Sequence, residues 1–189
     1  IHVDTEWVYA HRALLPKKGL TQGAWDSGLI MPTAQILTRR DEHRLYFEAR
    51  PGDIRHEDRF REWGNQAKMG TASWVRDRIS GLRAAHPEAV GIVTTKPFAL
   101  RGSSLRLNAN SSECDSRIAV EVLTAQGASI AGRTLADATR IEGLSASDVE
   151  VSWGAGTFLV SPDRAVARGD TIMLRFHLYG GAKLYAFRI

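Results

Sequence analysis

Thr171-Ile172-Met173-Leu174-Arg175-Phe176-His177-Leu178 alternates apolar and polar side chains without a break, and its reading decides the fold. A period of two puts Ile172, Leu174, Phe176 and Leu178 on one face of an extended strand, with Met173, Arg175 and His177 on the other. Working outward, the alternation returns in Leu105/Leu107/Ala109 and in Ile118/Val120/Val122. Further strands are predicted over 91–96, 104–109, 117–123, 149–153 and 183–189, each bounded by turn residues. Short strands punctuated by glycine predict an antiparallel, jelly-roll-like β-sandwich, two sheets around one core. Trp74 and Trp153 fall within strand patterns and are expected in cores. In the terminal strand, Tyr185 and Phe187 are expected to share a face and seal the sandwich. The one helical stretch expected in this half is short, 135–139.

Toward the N-terminus the pattern changes. Residues 28–50 read as a hairpin: an arm through Ile30 and Ile36, a polar turn Arg39-Arg40-Asp41-Glu42-His43, and a second arm resuming at Leu45-Tyr46-Phe47. A third strand is predicted over 68–76, with Met69, Thr71, Ser73 and Val75 on one face and Gly70, Ala72 and Trp74 on the other. Residues 51–66 are charged and aromatic without period, a long surface loop of the kind that carries function on a rigid scaffold. Gly81 and Pro87 interrupt an otherwise helix-tolerant run over 77–88, which reads as a connector. The chain is thus all-β and divides into 1–88 and 89–189.

Composition narrows the function classes. The 189 residues carry 25 Lys and Arg against 21 Asp and Glu, a net charge of +4. No basic run is longer than Lys17-Lys18 or Arg39-Arg40, and charges of both signs interleave, as in Arg55-His56-Glu57-Asp58-Arg59. That is a solvated surface rather than the basic stripe that neutralises phosphates, so no nucleic-acid partner is expected. No apolar run approaches the length of about 20 residues that crosses a bilayer as a helix, so no membrane partner is expected either. The start at Ile1 reads as processing or truncation, with room for a lost export signal, and a secreted or periplasmic setting is expected. A single cysteine, Cys114, can neither close an internal disulfide nor build a thiolate zinc site. The histidines lack a His-Glu-x-x-His spacing, and there is no nucleophile elbow, phosphate loop or dinucleotide fingerprint, so no metal or cofactor is expected.

The segment of highest specificity is Gly23-Ala24-Trp25-Asp26-Ser27-Gly28, followed by Pro32 and by the arm Leu45-Tyr46-Phe47-Glu48. Flanking glycines let the backbone turn sharply and aim the Asp26 carboxylate beside an indole. Asp26 either serves such a polar site or caps a turn through its own backbone. Glu48 follows an apolar strand and faces either a binding site or solvent. His56 stands in a charged loop, either as a donor to a sugar hydroxyl or in solvent-exposed salt contacts. Trp25, together with Trp7 and Trp63, lies where an aromatic platform for the apolar face of a sugar ring could form.

These residues resemble a blade of the five-bladed β-propeller glycosidase-like proteins, where a Gly-Ser-Trp-Asp-Ser-Gly turn leads to a strand, a turn, a tyrosine-rich strand and a histidine-bearing loop. The matching positions are Trp25, Asp26, Gly28, Pro32, Tyr46 and His56. Met69-Gly70-Thr71-Ala72-Ser73-Trp74-Val75-Arg76-Asp77 resembles the strand that ends that propeller, although Arg78-Ile79 stand where the pattern has Gly-Phe. The runs 91–98, 105–110, 120–123, 152–153, 173–178 and 184–187 resemble the appended sandwich.

The resemblance implies a last propeller blade with its connector over 1–88 and a C-terminal β-sandwich over 89–189. It implies a carbohydrate partner contacted through Asp26, Trp25, His56 and Glu48, with the sandwich as an accessory or carbohydrate-contacting module. Glycoside hydrolysis needs two carboxyl groups about 5 to 10 Å apart, and a propeller gathers them from several blades, so the main catalytic groups are expected upstream. A blade outside its ring leaves a sheet edge open, to be met by the missing N-terminal portion or by a second copy of the chain. The alternative is a stand-alone sandwich used in assembly, without sugar binding.

Overall fold

The computed structural model describes residues 2–3, 6–7, 25–26, 29–50, 67–154, 156 and 166–189. The chain falls into two compact units, Ile1–Ile79 and Ser80–Ile189. Among the described residues every regular element is a β-strand, no helix forms, all pairings are antiparallel and no sheet closes on itself.

In the first unit, β1 (His2–Val3) and β2 (Glu6–Trp7) make a short ladder. The main sheet is built round β5 (Glu42–Arg50). β6 (Lys68–Val75) pairs along one edge of β5 from Glu42 to Ala49. β3 (Leu29–Pro32) and β4 (Leu37–Thr38) follow one another along the opposite edge, opposite 47–50 and 43–44. The turn is tighter than its polar sequence suggests: Arg39 N–H donates to Glu42 O at 2.8 Å, and Glu42 and His43 already belong to β5. The first arm breaks between β3 and β4, where the Thr33 hydroxyl donates to Gln35 O and bends the chain, while Thr33 N–H still reaches Tyr46 O at 2.9 Å.

Side-chain alternation then sorts the two faces of this sheet. Leu45, Phe47 and Ala49 are buried; Gly70, Ala72 and Trp74 of β6 share their side and are half-buried. Met69, Thr71, Ser73 and Val75 are exposed on the other face.

The second unit holds two sheets. The larger comprises β11 (Ile141–Glu142), β10 (Arg117–Thr124), β13 (Thr171–Tyr179) and β7 (Gly91–Thr94) in that order, with β8 (Phe98–Ala99) also on β13. The smaller runs β12 (Ser145–Glu150), β9 (Arg106–Asn110) and β14 (Lys183–Arg188). Leu107 and Ala109 from β9 and Leu184 from β14 join Ile118, Val120, Val122 and the even-numbered apolar residues of β13 in one core, which includes the fully buried Trp153. The three inward faces predicted from period two are all buried. At about 25 cal/mol per Å² of apolar surface removed from water, such a cluster is the main source of the unit's stability.

Three expectations are corrected. The strand expected over 149–153 starts at Ser145 and ends at Glu150, because β12 lies at the side of β9, where edge residues are polar and show no alternation. Residues 135–139 form a turn instead of a helix; it is closed by Asp137 on Thr134 and ends in the Ala138–Trp153 bridge. Tyr185 and Phe187 do not act as one face. A register shift between Leu184 and Ala186 inserts an extra residue, so Leu184 and Phe187 share a face; Leu184 is buried, while Phe187 stays exposed and meets Phe176 at 5.4 Å between ring centroids.

Candidate functional site

Trp25 and Asp26 sit together in a turn of the first unit. The indole stacks on Phe47, with ring centroids 5.8 Å apart and planes 15° from parallel. A Cβ at residue 70 would lie 2.5 Å from Phe47 Cζ and 2.6 Å from Trp25 Cη2. Gly70 is therefore the gap in β6 into which both rings fit, and one face of Trp25 is spent on packing. Asp26 is buried, with 8% of its surface exposed.

Glu48 lies on the face of β5 opposite Phe47, so the structure does not bring it to the face on which Trp25 stacks. Its carboxylate accepts from Arg50 Nε at 2.6 Å. His56 and Trp63 lie outside the described residues, as does the side chain of Trp7.

Two polar clusters escaped the sequence reading because their members are far apart in the chain. In the first, His43 Nδ1 lies 2.9 Å from Thr38 Oγ1, and Asp77 N–H donates to His43 Nε2 at 2.9 Å, with Asp77 Oδ1 at 3.3 Å. The residue types imitate a nucleophile–base–acid chain, but the proton positions do not. The backbone donor fixes Nε2 as an acceptor, so Nδ1 carries the proton and donates to Thr38. The imidazole cannot then take a proton from that hydroxyl. The arrangement is a latch that ties the end of β6, through Asp77 at φ 58°, to the start of β5.

The second cluster lies on β10 and β13. Glu121 Oε1 accepts from His177 Nε2 at 3.0 Å and from Arg175 Nη1 at 3.2 Å, and Oε2 accepts from Ser129 Oγ at 3.3 Å. Glu121 and His177 are both buried. The strand register sets Glu121 beside Arg175 and Ala119 beside His177, so the Arg175 and His177 contacts follow from that pairing, while Ser129 arrives through its bridge to Leu123. Three donors converge on one carboxylate, and the cluster knits the sheet.

Two surface hollows have described walls. One, of about 600 Å³, is lined by Arg39–Glu42 and Ser73–Val75. The other, of about 390 Å³, lies between the 83–88 segment, Glu113–Asp115 and Gly180–Gly181. Neither is lined by Trp25, Asp26 or Glu48. Among the described residues no three His, Cys, Asp or Glu side chains gather as a metal site would require. Comparison of the chain with family models, with curated proteins and with solved structures finds no match.

Proposed function

We propose that this chain is the C-terminal portion of a glycoside-hydrolase-like, carbohydrate-active protein, with the first unit as a propeller blade and the second as a jelly-roll-like β-sandwich that serves as an accessory or carbohydrate-contacting module. The observation that carries this reading is the first unit's sheet: an open antiparallel meander, β3/β4–β5–β6, with the Trp25–Asp26 turn packed against its central strand through Phe47. A propeller blade is such a meander, and a two-sheet unit with its own core follows it in sequence. Asp26 and Trp25 would meet the sugar, joined by His56. Glu48, engaged by Arg50 on the opposite face of β5, stands outside this contact. Catalytic carboxyl groups would come from the rest of the whole protein, since hydrolysis needs an acid and a base across the scissile bond.

The test is a glycan array and affinity electrophoresis of the full chain beside Asp26→Asn and His56→Ala. Retention on a defined glycan, weakened in both variants, supports the reading. A wild-type chain that binds no glycan refutes it and leaves the assembly module. Sugar binding unchanged in Asp26→Asn removes that residue from the site.

A further inference from the structure

The outward face of β5 carries Glu42, Arg44, Tyr46, Glu48 and Arg50, one every second residue. Within the chain, Arg44 Nη2 pairs with Glu42 and Arg50 Nε with Glu48, each at 2.6 Å. A hydrogen bond to Tyr46 and the charge of Glu42 both raise the pKa of Arg44. Around this ladder the sheet exposes large apolar side chains where a solvated face would carry polar ones: Met31 is 42% exposed, Leu37 48%, Val75 55% and Met69 73%. The register places Met31 and Met69 beside Glu48, and Leu37 beside Arg44, so these residues share the ladder's face.

The order of charges along the ladder is negative, positive, tyrosine, negative, positive. Reversed end to end, it becomes its own complement. We propose that a second copy of this chain docks on this face, related by a two-fold axis that runs between the sheets, perpendicular to β5, at Tyr46. Glu42 then faces the partner's Arg50, Arg44 faces the partner's Glu48, and the two Tyr46 rings meet on the axis. The same rotation sets Met31 over the partner's Leu37, twice. Such an interface is isologous, each patch being its own complement. Parallel stacking of the strands would oppose like charges along the whole ladder, so the electrostatics select one orientation. Exposed ion pairs contribute little affinity by themselves; here they set the register, and the methionines and Leu37 supply the apolar burial. The dimer stands independently of the sugar reading, but it would withdraw Glu48 from any sugar, leaving Asp26, Trp25 and His56.

The experiment is analytical ultracentrifugation of the full chain and of two charge-split variants, E42R/E48R with an all-positive ladder and R44E/R50E with an all-negative one. Wild type should dimerise reversibly, each variant alone should be monomeric, and an equimolar mixture should restore a one-to-one heterodimer. The restored assembly also shows that both variants are folded. Met31→Glu should weaken the wild-type dimer by roughly tenfold or more. A wild-type chain monomeric at every concentration assigns the face to another occupant and overturns the proposal. A dimer that persists in either charge-split variant alone, or that is untouched by Met31→Glu, overturns it as well.

Discussion

Trp153 shows how one side chain can stand in for a missing strand. Backbone groups of Val120 and Val122 point to the same edge of β10, as residues two apart in an extended strand must. Val122 is satisfied there by Ile130 and Arg133. The Val120 carbonyl instead accepts the indole N–H of Trp153 at 2.7 Å, from a ring with no exposed surface. Trp153→Phe should therefore cost about 1–3 kcal/mol, the desolvation of a buried carbonyl left without its donor. Trp153→Ala should cost about 3–5 kcal/mol, because a cavity is added. Urea unfolding ranks the two, and a neutral Phe variant would show that the bond contributes nothing. Asp137 supplies a second residue-level prediction. Its carboxylate accepts Thr134 Oγ1 at 2.7 Å and Thr134 N–H at 3.0 Å. Those bonds, the side-chain one first, hold its pKa below the ordinary 3.8. A depressed folded-state pKa means that this stabilisation is present above the unfolded value and disappears as pH falls through the folded one. Asp137→Ala should remove that part of the acid sensitivity below about pH 4, seen as amide protection factors in the 134–138 turn, relative to the intrinsic exchange rate at each pH, that no longer fall with pH there.

Pairing between elements decides what the residues alone leave open. β5 and β6 meet at Phe47 and Gly70, and the two rings over that glycine allow no extra methyl. Both neighbours are stacked aromatics rather than flexible chain ends, so neither can swing aside. Gly70→Ala should destabilise the first unit by about 1–3 kcal/mol through overpacking, whereas Thr71→Ala, on the exposed face, should change little; thermal melts of the two variants make the comparison. In the smaller sheet, both neighbours of β9 shift register beside the same residue. β12 does so between Ala146 and Val149, and β14 between Leu184 and Ala186, each next to Asn108. The shift in β12 brings Asp148 to where both Arg106 and Arg188 reach it at 2.7 Å. No apolar pattern in 145–150 announces this, because a bulge is a compromise between two strands and neither encodes it alone.

The chain divides into two units. The unit Ser80–Ile189 has a continuous apolar cluster drawn from both of its sheets, and its edge at β14 is bridged by Leu82, which exchanges two hydrogen bonds with Leu184. A chain of residues 80–189 should fold alone and unfold in one cooperative step; one beginning at residue 89 lacks the Leu82 bridge and should be less stable, as calorimetry would show. The sequence by itself determined that the protein is built of strands, and which side chains of 105–109, 118–122 and 172–178 turn inward. Those properties come from a local period of two, written in neighbouring residues. Tertiary structure alone decided that Trp25 would spend a face on Phe47, that His43 would latch to Asp77 across 34 positions and Glu121 to His177 across 56, and that the charges of β5 would stand among exposed methionines. Each of these depends on which strand lies beside which and in what register, and that is settled by the burial of the whole core, not by any window of the chain.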